Sequence, residues 1–191
     1  MLKDGALITT YLEMRSSADL RPKKVTSDVW RVTRIGSGRS GPEEDWWFNR
    51  EMYFRVGENW KWIDKRPWTD EQWKEYANDP NLRTFAGYNG DVVIGYFELQ
   101  RQSNAGDSVS TCHTSHVTRH TEEVEIAYFG LLPEFIGRGF GGALLTSAIE
   151  TAWAWSPTPS RVWVHTCNRD HPSALANYQA RGFKIYQTVT K

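Results

Sequence analysis

The feature that most constrains this chain is a glycine-rich segment, FIGRGFGG, at residues 135–142. Glycine has no Cβ, so a turn built from glycines leaves its main-chain N–H groups open to an approaching anion. The residues that follow, ALLTSAIETAWAW at 143–155, repeat apolar side chains at helical spacing. A turn of this kind at the N-terminus of a helix is typical of a phosphate-binding site, since the helix dipole adds to the attraction.

The glycines match the G-x-G-x-x-G pattern of dinucleotide-binding folds, but their surroundings do not. In those folds the pattern directly follows the first strand, and an acidic residue lies about 20 residues further on. Here PEFI intervenes before the glycines, and the next strand, RVWVHTC at 161–167, ends without an acidic residue. A P-loop is excluded because no Lys-Ser/Thr pair follows the glycines. The turn is therefore predicted to bind a phosphate that belongs to neither NAD nor ATP.

The rest of the pattern predicts an α/β chain with a mixed sheet covered by helices. An Asn89-Gly90 pair between two β-rich runs predicts a hairpin with a type I′ turn, and Thr69 with Gln72 predicts a capping box. Residues 103–122 are polar with almost no apolar anchor and are expected to form a mobile loop. No linker divides the chain, so residues 1–191 are expected to form a single domain. Further strands are expected at 6–14, 29–35, 123–132, 161–167 and 183–190, and helices at 46–57, 70–79, 143–155 and 173–181.

Composition excludes several kinds of partner. Lys+Arg and Asp+Glu are equal at 23 each, so no basic field favours nucleic acid. No stretch reaches the roughly 18 apolar residues of a membrane span, and the N-terminus lacks the apolar region of a signal peptide. Two cysteines do not make a disulfide framework. We therefore expect a cytoplasmic protein that binds neither nucleic acid nor membrane.

Two motifs resemble those of the GNAT N-acetyltransferase superfamily. In that family a strand ending in V-x-P precedes a turn Q/R-x-x-G-x-G/A that opens a helix. Here LLP at 131–133 and GFG at 139–141 fit, with Ile136 at the Gln or Arg position. Further on, HPSALANYQARGF resembles the family pattern N-x-x-A-x-x-x-Y-x-x-x-G-F, with His171 in place of Asn. The resemblance covers residues 82–191 and is nearest to a bacterial subgroup of undefined substrate.

The resemblance implies a GNAT-like central sheet of about seven strands, mixed but mostly antiparallel and flanked by helices. It also implies acetyl-CoA as co-substrate, no metal, and a small-molecule or peptide amine as acceptor, in a monomer or homodimer. The main chain of the preceding strand would pair with the pantetheine amides, and the turn would hold the pyrophosphate. His171 could equally cap a helix. The positions expected to bind the cofactor are Phe129, Leu131, Gly137, Arg138, Gly139, Phe140, Gly141, Gly142, Asn168 and His171.

Transfer of acetyl from a thioester to an amine requires that the amine lose a proton, because an alkylammonium has a pKa of about 10.4. Glu125 is the expected base. Strand alternation places it with Ala127 and Phe129, and apolar surroundings make a carboxylate more basic. It also precedes Gly139 at the offset of the catalytic glutamate in coactivator-type histone acetyltransferases of this family. Proton removal through an ordered water is the alternative.

Tyr178 occupies the family's tyrosine position and is the expected acid for the departing thiolate. The alternative is a tyrosine that only packs in the core.

Two further groups of residues could supply metal-ligand or nucleophilic chemistry. Cys112, His113, His116 and His120 offer metal-ligand chemistry, but their Ser/Thr-rich surroundings favour a solvated loop, so no metal is expected. Cys167 is a conceivable nucleophile, although a buried strand cysteine is favoured.

Two other functions compete with an acetyltransferase. The departures at Ile136 and His171 keep open an acyl-CoA-binding sensor or interaction module without transferase activity. A nucleotide-dependent enzyme is disfavoured by the context of the glycines. The acceptor is expected to be chosen by the aromatic segment 46–73.

Overall fold

The computed structural model describes residues 5–25, 27–36, 42–60, 62–105 and 120–191. Seven strands and four helices lie within these ranges, as predicted for an α/β chain. The strands are β1 (Ile8–Met14), β2 (Trp30–Arg34), β3 (Leu82–Asn89), β4 (Val92–Ala105), β5 (His120–Leu131), β6 (Arg161–Cys167) and β7 (Lys184–Thr190). The helices are α1 (Pro42–Gly57), α2 (Asp70–Ala77), α3 (Phe140–Trp153) and α4 (Ala174–Ala180).

The strands form one mixed sheet in the order β2-β3-β4-β5-β6-β1-β7. All neighbours are antiparallel except β5 and β6, which are parallel. The predicted mixed, mostly antiparallel sheet of about seven strands is thus confirmed. What the pattern did not indicate is the position of β1, which lies between the two C-terminal strands β6 and β7. Strand propensity tells where a strand forms but not which partner it takes.

Alternate residues of the central strands pack against helices on opposite faces of the sheet. Phe97 and Leu99 of β4 join the larger apolar core, which contains most of the buried residues of α3. Tyr96, which precedes Phe97 and faces the opposite side of the sheet, packs with Met52 and Val56 of α1. This alternation is the ordinary period of a strand covered on both faces. It places α3 on one side of the sheet and α1 on the other.

One detail of the predicted elements is corrected and another is confirmed. Asn89 pairs with Val92, so the hairpin turn consists of Gly90 and Asp91, with Gly90 at φ 63°, rather than Asn89 and Gly90. The capping box of Thr69 and Gln72 is confirmed.

The ends of the predicted loop 103–122 are strand rather than loop. Residues 103–105 belong to β4 and 120–122 to β5, while the intervening part of the predicted loop lies outside the described residues. Polar side chains stabilise this ladder themselves, since Ser103 Oγ donates to Glu122 Oε1 at 2.8 Å. Within the described ranges, no helix combines the length and apolarity that a bilayer span requires.

A buried carboxyl group joins α1 and α2 to the sheet. Glu98 of β4 is 1% exposed; its Oε1 accepts a hydrogen bond from Asn49 Nδ2 at 2.9 Å, and Oε2 accepts one from the Tyr76 hydroxyl. Burial raises the pKa of Glu98 to about 7, against the opposing effects of the two hydrogen bonds and of Lys65. Between pH 4.5 and about 7, the folded protein therefore holds a proton on Glu98 that the unfolded chain has already released.

This difference predicts a pH dependence of stability. The contribution of protonated Glu98 is complete below the unfolded pKa of 4.5 and is lost as pH rises through about 7. The loss amounts to about 3 kcal/mol, since one pKa unit corresponds to about 1.4 kcal/mol. The Glu98→Gln variant stays neutral at all of these pH values. Urea unfolding should show that its free energy of unfolding rises by about this amount relative to that of the wild-type protein between pH 4.5 and 8. A stability difference independent of pH would contradict the expectation.

Candidate active site

Strands β5 and β6 pair over a short stretch and then separate. Their parallel pairing covers Glu123, Val124 and Glu125, opposite Arg161, Val162 and Trp163. Just beyond, β5 contains a bulge: Ile126 pairs with Leu99 and Tyr128 with Glu98, which leaves Ala127 without a partner. A bulge bends its strand and increases the local twist. The main chain of residues 128–131 therefore stays paired with β4 and faces an opening on the β6 side.

A cavity of about 1100 Å³ occupies this opening. Residues 126–131 of β5 and the glycine turn form one wall, and the end of β6 with α4 forms the other. The segment between α1 and α2 lies over the far end. The residues that line the cavity include Lys23, Trp60, Trp62, Ile63, Asp64, Phe129, Leu131, Gly137, Gly139, Gly141, Gly142, His165, Cys167, His171, Tyr178 and Arg181.

The glycine turn lies on the cavity wall at the N-terminus of α3. Gly137 and Gly139 have φ values of 82° and 87°, a conformation that side chains with a Cβ rarely adopt. Gly139 is the N-cap of α3 and provides no side-chain hydrogen bond, so the first N–H groups of the helix lack a capping side chain. A Cβ at Gly137 or Gly139 would meet no atom within 4 Å, which shows open space in front of the turn. These properties fit an anionic group such as a pyrophosphate.

Two basic residues that the sequence analysis did not identify lie at this turn. A Cβ at Gly142 would collide with the Arg181 guanidinium and the Lys23 side chain. Arg181 Nε is buried and has no hydrogen-bond partner among the described residues. Lys23 precedes β2 and is fixed by a bond from its main-chain N–H to Thr146 Oγ1 at 2.9 Å. Arg181 lies within the YQARGF motif, so the sequence could have indicated it as a residue of the site. No pattern in the residues around Lys23 indicates that it reaches the turn.

Seven of the predicted cofactor positions lie on the cavity wall: Phe129, Leu131, Gly137, Gly139, Gly141, Gly142 and His171. The side chains of the other three have different contacts. Arg138 is exposed beside the Phe135 ring, and Phe140 stacks on Trp30 with ring centroids 6.1 Å apart. The Asn168 amide donates to Ala6 O at 2.9 Å and accepts from Ile8 N at 3.1 Å, so it holds the start of β1.

His171 lies between the start of α4 and the cavity. Its Nδ1 accepts a hydrogen bond from Ser173 N at 3.1 Å, next to the start of α4. Its ring also lies on the cavity wall, edge-on to Trp60 with centroids 4.9 Å apart.

Tyr178 lies on the cavity wall with its ring held by apolar neighbours. The side chain is 6% exposed and its ring contacts those of Phe129 and Phe183. No hydrogen bond to its hydroxyl is found within the described part of the chain. Burial, with Asp170 nearby, raises the pKa of Tyr178, so the phenol keeps its proton at neutral pH.

Glu125 does not have the apolar surroundings predicted for it. The bulge at Ala127 shifts the alternation, so Phe129 pairs with Phe97 and faces the α3 core, whereas Glu125 faces the other side of the sheet. Its Oε2 accepts from Gln102 Nε2 at 2.9 Å, and its Oε1 lies 3.1 Å from His165 Nδ1. The side chain is 12% exposed and is not part of the cavity wall, although His165 is.

The far end of the cavity is aromatic with one carboxylate. Trp60, Trp62 and Ile63 line it together with Asp64. Asp64 accepts hydrogen bonds from the hydroxyls of Tyr53 at 2.6 Å and Tyr128 at 3.0 Å. These bonds tie the segment between the two helices to α1 and β5.

The remaining candidates from the sequence are the possible metal ligands at 112–120 and the Cys167 thiol. No group of three or more His, Cys, Asp or Glu side chains that could hold a metal is found in the described ranges. Cys112, His113 and His116 lie outside those ranges, as does the side chain of His120. Cys167 lines the cavity, but burial raises the pKa of its thiol, which keeps it in the less nucleophilic form.

Comparisons with known proteins agree with this architecture. A model of the acetyltransferase (GNAT) family matches residues 44–183. An uncharacterized N-acetyltransferase of Mycobacterium bovis is 29% identical over 116 residues, which cover 61% of this chain and 62% of the relative. An uncharacterized N-acetyltransferase of Mycobacterium tuberculosis matches to the same extent. The chain thus spans less than two thirds of the length of these curated relatives.

Solved structures show the same fold at low identity. An aminoglycoside acetyltransferase from an uncultured soil metagenomic sample, in complex with trehalose, has a TM-score of 0.58 at 13% identity and covers 81% of this chain and 88% of its own. A GCN5-related N-acetyltransferase from Sphaerobacter thermophilus has a TM-score of 0.60 at 15% identity, covering 97% and 50% respectively.

Proposed function

The chain belongs to the acetyltransferase (GNAT) family, and from that premise we propose that it transfers an acetyl group from acetyl-CoA to a primary amine. The observation that carries the proposal is the continuous cavity from the glycine turn to Tyr178 and the aromatic end. A site with phosphate-binding N–H groups at one end and a proton donor in the middle suits an acyl-CoA and an acceptor arranged along one line.

Acetyl-CoA would supply an activated acetyl thioester when bound. The N–H groups at Gly137–Gly142 are suited to its pyrophosphate, with Arg181 and Lys23 adding charge. On the side away from β4, the main chain around Phe129 and Leu131 has no strand partner among the described residues and can bond pantetheine amides as an added strand would.

Two side chains are assigned to proton transfer. Tyr178 keeps its proton and donates it to the departing sulfur. Glu125 is the carboxylate assigned to removal of the amine proton, and it would act through another group because its side chain is not on the cavity wall.

The acceptor would occupy the end lined by Trp60, Trp62, Ile63 and Asp64. Aromatic faces and a carboxylate both attract a cation, so a protonated amine with an apolar part fits this end. A small molecule and a peptide both satisfy this description.

The structure predicts which arginine binds the cofactor. Arg181→Gln should raise the Kd of CoA roughly 10- to 100-fold, because hydrogen bonds to a charged group contribute about 1.5–3 kcal/mol. Arg138→Gln is the matched control: that residue belongs to the same turn, but its side chain is exposed and off the cavity wall. Isothermal titration with CoA measures both. Equal losses in the two variants would contradict the assignment.

The proposed function is tested by release of free thiol from acetyl-CoA in the presence of polyamines, amino acids, aminoglycosides and peptides. We expect release that depends on an amine and an acetylated product detectable by mass spectrometry. Binding of CoA without release for any amine would favour the alternative, an acyl-CoA-binding sensor or interaction module.

A further inference from the structure

His165 is placed between the carboxylate assigned to proton removal and the cavity. It lies on β6, two residues beyond the last residue that pairs with β5, and its side chain is 47% exposed. Glu125, by contrast, is not on the cavity wall, and its two carboxylate oxygens contact Gln102 and His165. An acceptor in the cavity can therefore contact His165 but not Glu125.

The contact with Glu125 determines which nitrogen of His165 is free. A carboxylate can only accept hydrogen bonds, so Nδ1, at 3.1 Å from Glu125 Oε1, carries the proton. Nε2 is then the nitrogen with the lone pair, and no hydrogen bond to it is found among the described residues. Tyr11 and Trp163 flank the ring, with centroids 5.8 and 6.2 Å from that of the imidazole. The ring is thus fixed, and its basic nitrogen is available to the cavity.

From this arrangement we infer that His165 Nε2 accepts the proton of the acceptor amine and that Glu125 acts through it, as a positioning residue. This inference rests on the proposed function and specifies its route of proton removal. Nε2 takes a proton from the bound ammonium group, which frees the lone pair of its nitrogen. As that nitrogen bonds to the acetyl carbon, the carbon–sulfur bond breaks and the sulfur takes the proton of Tyr178. The second proton of the nitrogen passes to the Tyr178 phenolate, and the imidazolium releases its proton to solvent.

The charged groups around His165 favour this role. Glu125 faces it from β5, Tyr11 from β1, Asp170 from the turn after β6, and Asp64 from the segment between α1 and α2. The hydrogen bond to Glu125 is the largest cause that raises the pKa of His165, while burial lowers it. A raised pKa makes the imidazole a stronger base for the amine proton.

The test uses the full chain with an amine accepted in the thiol-release assay. His165→Asn keeps an amide N–H near the position of Nδ1, so Glu125 keeps a donor, but it cannot take a proton. We expect kcat to fall roughly 10²- to 10⁴-fold with the acidic limb of the pH–rate profile removed. Affinity for CoA and thermal stability should stay unchanged. Added imidazole should restore part of the rate in His165→Ala.

The positioning role of Glu125 has its own measurement. In Glu125→Gln the acidic limb should move to lower pH, because the main cause of the raised pKa of His165 is gone. Imidazole NMR titration, which needs no activity, should show the His165 signals titrating at lower pH in this variant, with His171 as internal reference.

The outcomes separate the two proposals. An active wild-type protein whose His165→Asn variant retains kcat and the acidic limb would overturn the inference and leave acetyl transfer intact. A wild-type protein that releases no thiol with any amine would overturn the proposed function, and the role of His165 with it.

Discussion

Tyr178→Phe is expected to lower kcat by roughly 10²- to 10⁴-fold, the usual contribution of a positioned general acid. The substitution removes only a hydroxyl that lines the cavity and makes no hydrogen bond to the described residues. The departing thiolate then has to take its proton from solvent. KM for acetyl-CoA and the free energy of unfolding should change little, because the ring keeps its contacts with Phe129 and Phe183. Steady-state kinetics with an accepted amine measures the effect.

Tyr96→Phe provides the matched control for this variant. The Tyr96 hydroxyl is also buried and without a partner in the described part of the chain, but it lies in the α1 core and away from the cavity. We expect wild-type kcat from Tyr96→Phe. An equal kcat in wild type and Tyr178→Phe would reduce Tyr178 to a packing residue.

Gly139→Glu is expected to weaken CoA binding by roughly 10²-fold or more, since loss of a charge-assisted hydrogen bond combines with repulsion between like charges. The new carboxylate would stand in the open space before the first turn of α3, where the anion is proposed to bind. A side chain at φ 87° also strains the main chain by about 1–2 kcal/mol. Titration with CoA, alongside thermal unfolding, separates affinity from stability.

Gly90→Glu is the control for strain alone. Gly90 has a φ of 63°, and a Cβ there also meets open space, but it belongs to the β3–β4 turn and not to the cavity. It should lose a similar amount of stability and keep wild-type affinity for CoA. If Gly139→Glu bound CoA as the wild type does, the turn would not be the phosphate site.

Most elements of the fold were predictable because their signals are local. The glycine turn at 137–142 and the apolar period of α3 depend on neighbouring residues, so the chain itself specifies them. The capping box of α2 and the strand 161–167 are of the same kind. Tyr178 was identified by spacing within a motif, and its place on the cavity wall follows from the helix that the motif forms.

The bulge at Ala127 limited what alternation could say about Glu125. A strand reverses its faces with each residue, and one unpaired residue changes the phase of everything after it. Whether a bulge forms depends on the register with β4, in which Leu99 pairs with Ile126 and Glu98 with Tyr128. No residue in β5 alone marks that register.

Sequence alone therefore determined the parts that short stretches of chain make by themselves: the glycine turn, the helix that follows it and the position of the tyrosine. Tertiary structure decided which distant segments meet there. Lys23 reaches the turn from the start of the chain, and His165 meets Glu125 across two strands that pair for three residues before separating. The physical reason is that local structure follows from covalent spacing, whereas contacts between remote segments depend on strand order and register, which the whole sheet sets together.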